Sequence, residues 1–337
     1  MSLFRRLFGS SGSSAPPDTR FRPALQSLDG RDVPSVTFAE VSSDGTLNIR
    51  TCPGEDQIAL TDYGDSGSGR GWVNASLNGR QEWFGGVNRI VVNDAGAPAG
   101  LKNQFTYTAV NDKPVGLVFY QSGDGAQAGT DQFTANLKGL AAGRKMTVAA
   151  LGAGGNDTLQ VNAGGRYQTG SGLNVHMTGG LGWDAVGVNA WGGTTMDVGS
   201  KMDVVLAANS TDPTIPDNSD NNVSFWYLGR MDGEITFDVA GSTRNDWVSA
   251  NLWFNQGSRG KLGNGTTSGA RVRGGDGNDD MQYIVRGSHT ERLMLFDRLV
   301  ADGGAGTNHL TRAATPPLDM PVELTRTGFT TNSTVPG

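Results

Sequence analysis

Four stretches of the chain follow one nine-residue template, G-G-x-G-x-D-x-U-x, in which U is a large apolar residue. They are Gly152–Gln160, Gly179–Gly187, Gly274–Gln282 and Gly303–Thr311, with Ala153 and Asn308 as the single departures. Such a repeat constrains the fold more than any other feature, because a unit too small to bury its own apolar face must stack on copies of itself. Glycine supplies the positive φ of a tight turn without steric cost. Aspartate and asparagine bond neighbouring backbone groups at bends.

The spacing of the motif says how the units stack. Asp131 to Asp157 is 26 residues, Asp157 to Asp184 is 27, Asp246 to Asp279 is 33 and Asp279 to Asn308 is 29. Between the turns lie short alternations of apolar and polar residues, such as Lys145-Met146-Thr147-Val148-Ala149, Leu173–Met177 and Glu234–Val239. That is the period of a strand with one face buried, and no long segment keeps a helical period. The expected fold is all-β, a parallel β-helix or solenoid with one glycine–aspartate turn per coil, and the alternative is an antiparallel β-sandwich. The gaps from Asn88 to Asp131 (43) and from Asp184 to Asp246 (62) require enlarged or degenerate coils. Asn221, 25 residues before Asp246, is expected to mark one of them, with residues 209–220 as an insertion. An asparagine also follows five residues after the key residue in Asn88/Asn93, Asp131/Asn136, Asp157/Asn162, Asp184/Asn189 and Asp246/Asn251. These read as an asparagine corner whose amides bond from coil to coil.

The nonapeptide resembles the calcium-binding repeat of the repeats-in-toxin (hemolysin-type) family. In that family tandem turns jointly supply the oxygens of each ion, whereas here the motif comes once per coil, so a stacked neighbour has to replace the sequence neighbour. The resemblance implies calcium as the one cofactor and makes Asp157, Asp184, Asp276 and Asp279 the candidate ligands; backbone-bonded turn residues are the competing reading. Near the N-terminus, Arg22-Pro23-Ala24-Leu25-Gln26-Ser27-Leu28-Asp29-Gly30-Arg31-Asp32-Val33-Pro34-Ser35 is similar to the R-P-x-L-x-x-L-x-x-R-x-x-P-S leader of exported planctomycete proteins. It departs from that leader in having Asp29-Gly30 where Glu-Asp is usual. The resemblance implies an extracellular or cell-surface location. The domain reading is a disordered basic leader and linker over 1–35, a β-solenoid over 36–312 and a C-terminal cap or tail over 313–337.

Charge and composition exclude other classes. With 27 Lys and Arg against 33 Asp and Glu the net charge is -6, which offers a nucleic-acid backbone no basic footprint. No stretch approaches the ~18 apolar residues of a membrane span. Cys52 is the lone cysteine, so no disulfide forms within the chain. His176, His289 and His309 stand apart from one another, and Ser66 lacks the G-x-S-x-G order of a nucleophile elbow. The seven tryptophans, Trp72, Trp83, Trp183, Trp191, Trp226, Trp247 and Trp253, suit stacking on sugars if they share one exposed face. The resulting expectation is a non-catalytic extracellular or cell-surface structural or adhesive repeat protein, partnered by surface polysaccharide or other surface proteins. A calcium-binding repeats-in-toxin-like protein and a carbohydrate-active β-helix enzyme are the alternatives.

Overall fold

The computed structural model describes residues 38–51, 54–65, 71–93, 102–121, 129–209, 219–263, 269–287, 294–295, 299–314 and 324–334. The leader, Cys52, Ser66 and His289 lie outside the described residues. Every described regular element is a strand. Among the described residues no helix is long and apolar enough to cross a membrane.

The strands form two sheets, of 13 and 12 strands, and the chain passes from one to the other and back in each coil. Lys145–Leu151 lies in the 13-stranded sheet, Thr158–Tyr167 in the 12-stranded sheet, then Gly172–Gly180 in the first and Ala185–Met196 in the second. Successive coils pair in parallel: Met146 stands beside Leu173, and Leu159 beside Val186. This is the expected parallel β-solenoid and not an antiparallel sandwich. Antiparallel pairing occurs at the N-terminal end, where Ala39–Val41 pairs with Thr46–Arg50, and Gln57–Asp65, Gly71–Leu77 and Arg80–Val87 form a meander. At the other end, Leu324–Thr327 and Phe329–Thr334 lie in the stretch expected as a cap or tail, and each extends one sheet by a further parallel strand.

Alternation dictates what fills the interior. In Thr158–Tyr167 the inward positions Leu159, Val161 and Ala163 are fully buried, while Thr158, Gln160 and Asn162 face out. Copies of this pattern stack Leu159, Val186, Val223, Val248 and Met281 into one apolar column. Each such side chain removed from water contributes about 1.5–3 kcal/mol. Aromatic rings also stack inside: Phe105 lies 5.3 Å from Phe133 and 5.6 Å from Tyr120, centroid to centroid.

The glycine–aspartate turns carry the chain from the 13-stranded to the 12-stranded sheet, between Leu151 and Thr158, Gly180 and Ala185, Arg273 and Asp280, and Asp302 and Asn308. Their glycines have two separate jobs. The first of each turn needs space: a Cβ on Gly179 or Gly274 would strike the carboxylate five residues on, Asp184 or Asp279. The second and fourth need positive φ, as at Gly180 (122°), Gly182 (120°), Gly275 (107°) and Gly277 (118°). Ala153 fills the second position with a side chain and still adopts φ 69°.

Candidate functional site

The key residue of each turn belongs to a continuous buried ladder. The side-chain Oδ1 of each member accepts the backbone N–H of the member one coil earlier. Asp131 N donates to Asp157 at 2.8 Å, Asp157 N to Asp184 at 2.9 Å, and Asp184 N to Asn221 at 2.8 Å. Asn221 N then donates to Asp246 at 2.7 Å, Asp246 N to Asp279 at 2.9 Å, and Asp279 N to Asn308 at 2.8 Å. Toward the N-terminus the ladder continues through Asn103 to the amide of Asp56. Asn221 is thus a full member, and residues 210–218 of the expected insertion lie outside the described residues. Asn88 is not a member: it precedes Arg89–Asn93 of the 13-stranded sheet, and its amide donates to the carbonyl of Asp44 at 2.8 Å. The 43-residue gap therefore contains an unnoticed rung, Asn103.

Three of the four candidate calcium ligands, Asp157, Asp184 and Asp279, are rungs, at most 2% exposed. Asp276 is exposed on the turn itself, and its charge, with that of Asp246, adds to the burial that pushes the Asp279 carboxyl up to about 7. Burial also raises Asp246, against the pull of hydrogen bonds from Ser242 and Asn221. Among the described residues no three His, Cys, Asp or Glu side chains converge as a metal cluster. His176 is exposed on the 13-stranded sheet, and His309 sits 3.3 Å from Asp280.

The asparagines five residues beyond the rungs do not form a corner. Strands here are long enough that Asn136, Asn162 and Asn189 fall mid-strand, side by side on the outer face of the 12-stranded sheet. Asn162 Nδ2 does donate to Asn136 Oδ1 across the coils, at 2.8 Å. Together with Thr108, Lys138 and Trp191 they line a hollow of about 330 Å³.

Six of the seven tryptophans stand on this same outer face, Trp247 half-buried at the start of the strand that carries Trp253. Trp191, Trp226 and Trp253 line an adjoining apolar hollow of about 160 Å³ with Tyr227 and Leu228. The Trp191 and Trp226 rings meet edge to face at 5.5 Å, and the Arg286 guanidinium lies 5.0 Å above Trp253. A bulge lifts Trp191 out of the sheet: from Ala190 to Thr194 the strand spends four residue steps where its neighbour, Tyr227 to Gly229, spends two. Gly192 and Gly193, both with positive φ, take the slack. Trp72 and Trp83 stand on the N-terminal meander, 53% and 58% exposed; Trp83 packs 5.2 Å from Tyr63, and Trp72 lies across its cross-strand partner Gly85. Trp183 lies apart, on a turn. Tyr63, Leu228 and Arg286 were not singled out by the sequence, since only inter-strand register brings them to the tryptophans.

The charged groups collect elsewhere. At the opposite turn edge, Lys201, Arg230, Asp232, Glu234, Arg259 and Lys261 surround a cavity of about 500 Å³. Its carboxylates are engaged, Asp232 with Arg230 at 2.8 Å and Glu234 with Lys201 at 3.4 Å.

No protein-family model, curated protein or solved structure matches the chain. The site therefore rests on its own geometry.

Proposed function

We propose that this chain is a non-catalytic structural or adhesive protein of the cell surface or extracellular space, which holds surface polysaccharide on the outer face of its 12-stranded sheet. The observation that supports this reading is the concentration of exposed tryptophan beside a row of amides and hydroxyls on one rigid face. Indole rings offer an apolar platform to the C–H face of a sugar, and neighbouring amides satisfy its hydroxyls. Large exposed aromatic patches are costly to keep on a monomer without a partner. The leader resemblance supports export. The test is affinity electrophoresis of the full chain through gels containing plant, algal or bacterial polysaccharides. Retention that Trp191→Ala and Trp253→Ala reduce supports the reading; free migration through all of them overturns it.

The carbohydrate-active-enzyme alternative has its footing in the charged cavity, where Asp232 and Glu234 stand among four cationic side chains. Glycosidic cleavage needs a pair of carboxyl groups free to act as acid and base or nucleophile. Release of reducing ends from a retained polysaccharide, lost in Glu234→Gln, decides for the enzyme.

A further inference from the structure

We infer that the outer face of the 12-stranded sheet binds one extended, uncharged, β-linked glycan lying along the solenoid axis, across the strands, and anchored at two separated tryptophan clusters. This rests on the polysaccharide reading above and gives it a ligand class, a direction and a length.

The inference comes from register. Trp83 pairs with Asn74, Asn74 with Thr61, Thr61 with Thr108, Thr108 with Asn136, Asn136 with Asn162, Asn162 with Asn189 and Asn189 with Trp226. Residues in register on neighbouring strands project from the same face, so these eight side chains form a single row perpendicular to the strands. The row has an indole at each end and only amides and hydroxyls between. Seven inter-strand steps at about 4.8 Å place Trp83 and Trp226 roughly 33 Å apart. Each terminal indole has aromatic company: Trp83 has Tyr63 at 5.2 Å, and Trp226 has Trp191 at 5.5 Å.

Three features select the ligand. No charged side chain stands on the row itself, and Lys138 flanks it only at the central amides, so a polyuronate or sulfated chain would lose its water along most of the row without gaining a counter-charge. Amides repeat at one per strand over the three successive strands of Asn136, Asn162 and Asn189, and the length of one pyranose in a flat β-linked ribbon is close to the strand separation. A ribbon can therefore offer hydroxyls to Asn136, Asn162 and Asn189 in turn, whereas a coiled α-linked glucan would leave the row after a few sugars. The apolar hollow at Trp226 holds only about 160 Å³ and is lined by Trp191, Trp226, Tyr227, Leu228 and Trp253, which suits a sugar ring stacked at its rim.

Two anchors on one rigid scaffold predict a length threshold. A short oligosaccharide engages either cluster alone; a chain of about seven sugars or more spans both, and the second contact becomes intramolecular. The probe is a ladder of β-1,4-linked gluco- and manno-oligosaccharides up to about ten sugars, titrated calorimetrically against the full chain. Affinity should rise at least ~10-fold between the short members and those that span. Trp83→Ala and Trp226→Ala should each abolish that rise while leaving short-chain binding at the other cluster, and the double variant should bind neither. Asn162→Ala should weaken the long ligand more than the short one. All three side chains are surface groups, so an unchanged melting temperature checks that each variant is folded. Binding without a length threshold, or insensitive to Trp83, overturns the axial track but leaves polysaccharide binding standing. Equal binding of an α-1,4-glucan overturns the ribbon geometry. Failure of every glycan, in this titration and in the gels, overturns both readings.

Discussion

The carboxylate of Asp184 accepts the backbone N–H of Asp157, one coil earlier, at 2.9 Å, with both residues fully buried. Neither coil can satisfy that amide alone, so the bond couples the coils. Removing the acceptor strands a buried N–H, which costs more than the modest net worth of the bond itself. Asp184→Ala should therefore destabilise the chain by about 2–3 kcal/mol. Asp184→Asn keeps the accepting oxygen, as Asn103, Asn221 and Asn308 already do at their rungs, and should change stability by less than ~1 kcal/mol. Urea unfolding of the two variants measures the contrast.

Ala153 holds φ 69° where the equivalent residues Gly180, Gly275 and Gly304 are glycine. A side chain in that region costs about 1 kcal/mol or somewhat more. Ala153→Gly should raise stability by about that amount, less what the freer unfolded chain loses. Gly182→Ala should do the opposite and more: φ is 120° there, and the new Cβ would strike the carbonyl of Gly155. Thermal unfolding monitored by β-sheet circular dichroism reads both.

Asp279 sets a pH dependence of defined sign. Its folded pKa, about 7, lies above the ordinary carboxyl value of 3.8, because burial and the charges of Asp246 and Asp276 disfavour ionisation, against a lowering hydrogen bond from the Asp246 amide. A carboxyl whose folded pKa is raised keeps its proton in the native state while the unfolded chain gives its proton up. Its contribution therefore weakens the fold progressively from pH ~4 to ~7 and is level above that. Asp279→Asn should flatten the decline in melting temperature across this interval, and an unaltered slope would show that Asp279 is already ionised when folded.

The rungs also bear on calcium. The Oδ1 atoms of Asp157, Asp184 and Asp279 are already acceptors within the ladder. Calcium asks for six to eight oxygens in one cage, and the turns contribute at most one rung carboxylate per coil, none where the rung is Asn103, Asn221 or Asn308. Millimolar calcium should leave the melting temperature within about 1 °C of its value in chelator, since a ligand bound only by the native state would raise it. A larger, saturable rise lost in Asp276→Asn would assign the ion to the exposed turn.

Much of the ladder was legible because its rungs are local: a glycine turn needs glycine, and the residue facing its first glycine must be Asp or Asn. Asn221, which lacks the glycines, was legible instead from its spacing, 25 residues before Asp246. Asn88 misled because Asn88/Asn93 copies the five-residue spacing on the opposite edge of the coil, and spacing alone does not say which edge a turn occupies. The asparagine row was recognised as a stack but set at a corner, because strand length past the turn is fixed by packing and not by the motif. Trp83 and Trp226 could not be joined in advance. Their shared row passes through seven pairings, two antiparallel within the meander and five parallel ones that join strands 26 to 47 residues apart.

Consecutive rungs are separated by as few as 25 residues, from Asn221 to Asp246, and by as many as 47, from Asp56 to Asn103, yet the bond that joins them is the same. The ladder thus measures coils and is indifferent to the chain between them. Loops at the edges are free to lengthen, acquire new side chains or diverge without disturbing the stack. A whole coil could be duplicated or lost in one event, provided it carries its own Asp or Asn. Such a protein evolves by changing its number of storeys.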